Sequence, residues 1–199
     1  MATPTKGRPR EFDVGDALAA ALGVFWSKGY EGASLTDLTE AMGITRPSLY
    51  AAFGNKEALF CKALDLYEQE KLAYMHCALD APTSRGVAER LLRGVMANQC
   101  SEQGPKGCLG VISSVACGTE AEPIRAEVIS RRASSHKALV ARFERAKAEG
   151  DLPESVDIAG LTGHLFAVMQ GMTIQAGAGA SHADLERVVA TSLAMWPGR

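Results

Sequence analysis

Apolar residues recur every three or four positions along almost the whole chain, and alternation of period two is scarce, so the pattern predicts helices separated by glycine and proline. Residues 13–28 put Val14, Leu18, Ala21, Leu22 and Phe25 on one stripe, and Gly29 marks its end. Ser34 with Asp37 forms a variant capping box for a short helix that stops before Gly43. Thr45 caps a second short helix over 46–53, with Pro47 in the first turn, where a missing N–H does no harm. Asn55 then caps a long helix predicted to reach about Leu79. Further helices are predicted over 85–100, 108–117, 123–150, 157–175 and 181–195, with a polar loop at 101–107 and a small-residue separator at 177–180. The fold class is all-α.

Two short helices joined by Met42-Gly43-Ile44-Thr45 make a helix-turn-helix, its angle locked by Leu35, Leu38, Ala41, Ile44 and Leu49. In such motifs the second helix presents its N-terminal residues to base edges in the major groove. The chain carries a formal net charge of -2 over 199 residues, so no global basic field draws it to nucleic acid. Contact with DNA must come from a few placed cations. Lys6, Arg8 and Arg10 form a basic arm within about residues 1–12, suited either to a minor groove or to plain solvation.

The runs from Gly7 to Asp13, from Phe25 to Leu35 and from Gly43 to Phe60 resemble the N-terminal domain of the TetR family, with the spacings kept. The resemblance implies a three-helix DNA-binding head over 1–55, then a larger helical effector and dimerisation domain over 56–199. Arg46 is the candidate base reader, since its guanidinium can address guanine bidentately, and Pro47 offers a methylene surface to a thymine methyl. Ser34, Thr36, Thr45 and Ser48 are hydroxyl donors at helix starts, able to cap, to touch phosphate or both. Tyr50 can hydrogen-bond a phosphate. Lys56 stands where a cation opposes the helix dipole, a placement that makes sense beside a phosphate. In the family the matching Tyr and Lys grip the DNA backbone.

Operator binding by a helix-turn-helix protein ordinarily needs two heads. The stripe Leu185, Val188, Val189, Leu193 and Trp196 of the last helix, with Leu165 and Met172 of the one before it, is the expected homodimer interface. In TetR-like proteins these two helices form a four-helix bundle across the dimer. Tyr67, Tyr74, Met75, Met96, Phe166 and Met169 are candidates to line a pocket for a small-molecule effector, although such residues also build plain cores. No HExxH, Ser-His-Asp pattern, GxGxxG or Walker loop is present, so neither an enzyme nor a cofactor is expected.

An odd count of five cysteines, without CxxC or a secretory h-region, points to a reduced, cytoplasmic setting, and no apolar run suggests a membrane partner. Gly107-Cys108-Leu109, Met169-Gln170-Gly171-Met172, Gly179-Ala180-Ser181 and Met195-Trp196-Pro197 resemble a ComR-like subgroup of the family, which includes a copper-responsive repressor. At about 100° per residue, Cys108 and Cys117 face opposite sides of one helix, whereas Cys100 and Cys108 flank the polar loop. Those two are the weak candidates for a thiol or Cu(I) site, the alternative to an effector cavity.

Overall fold

A computed structural model describes residues 12–198 apart from 101–104, 106, 116–117 and 119–120, and the basic arm with Arg8 and Arg10 lies outside the described residues, as does Cys117. Ten α-helices and no strand occur among the described residues: α1 Val14–Gly32, α2 Leu35–Met42, α3 Arg46–Phe53, α4 Lys56–Lys71, α5 Ala73–Leu79, α6 Ser84–Cys100, α7 Leu109–Val115, α8 Glu122–Ala148, α9 Ile158–Gly177 and α10 His182–Ala194. None of them is long and apolar enough to cross a membrane.

Local chemistry sets most helix ends. The Ser34 hydroxyl accepts the Asp37 N–H while the Asp37 carboxylate accepts the Ser34 N–H, a reciprocal capping box that starts α2. Thr45 and Asn55 cap α3 and α4 in the same sense. Gly43 closes α2 in the left-handed region, φ +63°, where its N–H reaches back to the Thr39 and Glu40 carbonyls. Gly29 does not end α1 outright. It interrupts the helix at φ +71°, and helical turns resume to Gly32.

One boundary was invisible in the pattern. The helix expected from Asn55 to Leu79 breaks at Leu72, where no glycine or proline stands. The cause is tertiary: Asn98 of α6 donates its amide to the Lys71 carbonyl, taking the acceptor that a continuing helix would use.

Two buried cores result. The first joins Phe25 of α1, Leu38 and Met42 of α2, Leu49 and Phe53 of α3, and Leu59, Phe60 and Tyr67 of α4, and Leu109, Ile124 and Val128 of α7 and α8 complete it. Ala41, expected in this lock, is exposed, and Met42 takes its place one residue on. The second core joins Val87, Leu91 and Leu92 of α6 with Phe143 of α8, Leu165 and Met172 of α9, and Leu185 and Val189 of α10.

Candidate nucleic-acid interface and ligand cavity

The outer face of α3 is a compact polar row. Thr45, Arg46 and Pro47 are exposed, Ser48 is half-buried, and Tyr50 shows 48% of its surface to solvent. Leu49 and Phe53, on the opposite side, are buried, so the apolar stripe of α3 turns this row outward. The Arg46 guanidinium donates to the Thr36 hydroxyl at 2.9 Å, and the Thr45 and Ser48 hydroxyls lie 3.0 Å apart. The first turns of α2 and α3 are thereby cross-linked, with Ser34 and Thr36 exposed beside Arg46.

Lys56 is held more firmly than a free surface cation. Its Nζ lies 4.4 Å from the centroid of the Tyr30 ring, a cation–π contact that opposes its unfavourable place at the start of α4. Burial lowers its pKa, while nearby Glu31 acts the other way. Behind α2, Lys28 pairs with Asp37 at 2.7 Å. That ammonium, then the Ser34 cap, holds the Asp37 carboxyl at about 2, below its ordinary 3.8. A depressed carboxyl pKa stabilises the folded state above the ordinary value and loses that contribution as pH falls through the folded one. In a carboxyl-carbon NMR titration, Asp37 should therefore titrate near pH 2, and the start of α2 should fray across the window from 3.8 down to about 2. A midpoint near 4 would remove the capping assignment.

Between α4, α5, α6, α7, α8 and α9 lies a cavity of about 120 Å³. Tyr67, Tyr74, Met75, Phe166 and Met169 of the expected set are on its wall. Met96 is not: it is buried in the second core, because the α6 face that reaches the cavity carries Val95, Asn98 and Gln99. Polar residues the pattern did not flag also line it, among them Glu68, Arg131, Arg132, Gln170 and Thr173. Arg131 of α8 donates to Asp65 at 2.6 Å and Glu68 at 3.1 Å on α4, and to Glu127 at 2.7 Å on its own helix. A second cavity, about 210 Å³, adjoins the first and shares Glu68, Leu72, Met75, Arg131, Ser135 and Phe166 with it.

Two contacts tie this cavity to the head. The Tyr67 ring meets Trp26 of α1 edge-on at 5.0 Å. The Gly107 carbonyl accepts from Trp26 Nε1 at 3.2 Å and from Gln99 Nε2 at 3.1 Å, so one carbonyl joins the head to the cavity wall. Of the two cysteines expected to flank the loop, one lies on this wall. Cys108 lines the cavity and hydrogen-bonds the Tyr67 hydroxyl, whereas Cys100 is exposed at the end of α6. Among the described residues, no group of three His, Cys, Asp or Glu side chains could hold a metal ion.

Residues 17–62 match the family described as bacterial regulatory proteins, tetR family, and residues 88–192 match the tetracyclin repressor-like C-terminal domain. The HTH-type transcriptional repressor ComR of Escherichia coli (strain K12) is 35% identical over 197 residues, covering 97% of this chain and 93% of the relative. The chain belongs to the TetR family. YezE of Bacillus subtilis (strain 168), an HTH-type transcriptional regulator, is 33% identical and aligns over 95% of this chain and 98% of its own. The TetR-family regulator CifR, solved as cysteine mutants with 26-base-pair double-strand operator DNA, superposes with TM-scores of 0.90 and 0.91 at 41% identity, covering 96% of this chain and 100% of that one.

In this TetR-family chain the residues expected at the dimer surface are occupied inside the subunit. Leu165, Met172, Leu185, Val189 and Leu193 are buried in the second core, and Val188 packs against it. The Trp196 ring lies tilted against Phe143 at 5.5 Å, and its indole N–H donates to the Ser84 hydroxyl at 3.2 Å. The reason is that α9 and α10 need most of their large residues to pack on α6 and α8, which leaves mainly small and polar ones outward. The exposed residues include Gly163, Ala167 and Ile174 on α9, Ala183, Ala190 and Ala194 on α10, and Met195 just past its end, with Ile174 62% and Met195 74% exposed.

Proposed function

We propose that the protein is a transcriptional repressor that binds a palindromic double-stranded DNA operator as a homodimer and is released when a small molecule enters the cavity. The observation that carries the DNA half is the exposed row Thr45, Arg46, Pro47 and Tyr50 at α3, with Thr36 bonded to Arg46, Ser34 exposed at the start of α2 and Lys56 partly exposed at the start of α4. A row of hydroxyls, one guanidinium and one phenol at two adjoining helix starts suits phosphate contact around a single base reader. ComR, named a repressor, and CifR, solved on operator DNA, support the same reading.

Arg46 reads a base, leaving Thr36 to do so, and Pro47 meets a thymine methyl. Tyr50, Lys56, Ser34, Thr36, Thr45 and Ser48 position the head on phosphates, and Arg8 and Arg10 extend the contact along the duplex. The homodimer forms through the small outward faces of α9 and α10, whose short side chains let partner helices approach closely. A ligand in the cavity acts on the head through Tyr67 and Trp26, through Gln99, Gly107 and Trp26, and through the Arg131 bridge to α4. Each route ends on a helix that carries or supports the reading face. By linkage, operator DNA weakens ligand binding by the factor with which ligand weakens operator binding.

Footprinting the purified protein on the DNA upstream of its own gene tests the DNA reading, with a protected palindrome expected. In mobility shifts on that site, Tyr50→Phe and Lys56→Ala should each weaken binding similarly on all sequences. Lys56→Ala should also flatten the salt dependence by up to about 0.9 of a log unit per log unit. Arg46→Ala should instead relax specificity at one position of each half-site. Wild-type affinity in the Tyr50→Phe, Lys56→Ala double variant would remove the phosphate assignment.

A further inference from the structure

The cavity wall treats its two tyrosines differently. The Tyr67 hydroxyl is used within the protein, bonded to the Cys108 thiol and to the Leu109 N–H. Tyr74 is only partly buried, and its hydroxyl has no hydrogen bond to another described residue. Its ring is fixed in place: it lies flat against α6 at Gly94, where an added Cβ would stand 2.1 Å from the ring carbon Cδ2. Burial raises the pKa of both phenols, so Tyr74 is a protonated donor on the cavity wall. A hydroxyl on a cavity wall that no described residue engages is available to an acceptor placed in the cavity.

The charges on the same wall are committed. Arg131 holds three carboxylates, Asp65, Glu68 and Glu127, at 2.6–3.1 Å, and Arg132 is partnered as well. An anionic ligand would meet Glu68 and would have to strip Arg131 of its partners, and a cationic one would have to displace that guanidinium. A neutral ligand breaks nothing. Size narrows the class again. The cavity measures about 120 Å³, and a dry cavity of roughly 150 Å³ accepts benzene.

We propose that this cavity takes a small neutral organic molecule, with an apolar body of about single-ring size and one hydrogen-bond acceptor that receives the Tyr74 hydroxyl. The proposal names the class of effector and rests on the effector reading above. Leu64, Met75, Val95, Phe166 and Met169 hold the body, and the fixed ring of Tyr74 sets where the acceptor lies. The adjoining cavity past Leu72 and Ser135 leaves room for a short substituent.

Four probes of matched shape test it on the full chain by calorimetry: acetophenone, ethylbenzene, benzoate and benzylamine. Acetophenone should bind most tightly. Tyr74→Phe should weaken acetophenone about fivefold, the worth of one net hydrogen bond, and leave ethylbenzene unchanged. The variant loses no protein partner, so its melting temperature should not fall, which separates a lost contact from a damaged fold. Met169→Trp, which fills the cavity, should remove binding of both neutral probes. Tighter binding of benzoate or benzylamine overturns the neutral class. Unchanged acetophenone affinity in Tyr74→Phe overturns the acceptor site, and no binding by any probe overturns both. Operator release is read separately by mobility shift: acetophenone bound with operator affinity unchanged overturns the effector reading and not the ligand class.

Discussion

Replacing Ala167 and Ile174 together with glutamate should convert the protein into folded monomers whose operator affinity is lower by about 100-fold or more. Both residues lie on the outward face of α9, and Ile174 is 62% exposed, so glutamate meets water in the lone subunit and the fold loses nothing. In a four-helix bundle the two-fold axis doubles each change and places like charges in an apolar seam. A buried, unpaired carboxylate costs several kcal/mol there. A monomer then presents one head where the palindrome offers two half-sites, and the gain from linking two binding events disappears. Sedimentation or light scattering reads the mass, circular dichroism the fold, and a mobility shift the affinity. A folded dimer would place the interface away from α9.

Leu193→Asp should do something different: it should unfold the subunit. Leu193 shows 6% of its surface and packs into the second core with Leu185 and Val189. Removing a buried leucine side chain costs about 2–5 kcal/mol, and a carboxylate left in the hole adds a desolvation cost of a few more. Total domain stability is about 5–15 kcal/mol, so one such change consumes most of it. Helical signal and solubility should fall together, with no folded monomer on sizing. A stable, folded Leu193→Asp monomer would return this stripe to the dimer surface. The two experiments form a pair, since one side of the same helix pair answers in assembly and the other in stability.

The head was readable because its signals are local. A serine three residues before an acid, a glycine at a left-handed turn, a threonine before proline and an asparagine before a helix each act within one turn, and each appears in the structure where the pattern puts it. The polar row of α3 followed from the same arithmetic, because Leu49 and Phe53 must face inward and the residues between them outward. The five cavity residues expected from their chemistry were found for a coarser reason: large apolar residues on several helices converge somewhere, and here they leave a gap.

What the pattern could not carry is partner choice. An apolar stripe on α10 states that the helix buries a face, not against which chain, and only the packing of Leu185, Val189 and Leu193 on α6 assigned it to the subunit itself. The break at Leu72 depends on Asn98, and the Arg131 cluster on Asp65 and Glu68, partners 27, 66 and 63 residues away with no periodic trace in the sequence. Tyr67 and Tyr74 are one residue type seven positions apart, yet one is satisfied and the other open. Caps, most helices and the exposed polar face of α3 were thus determined by the sequence alone, since short-range hydrogen bonds and amphipathic period decide them. Which apolar face became core, where a long helix broke and which tyrosine hydroxyl was engaged within the protein were decided only when distant helices met, because those outcomes depend on the shape of the space between them.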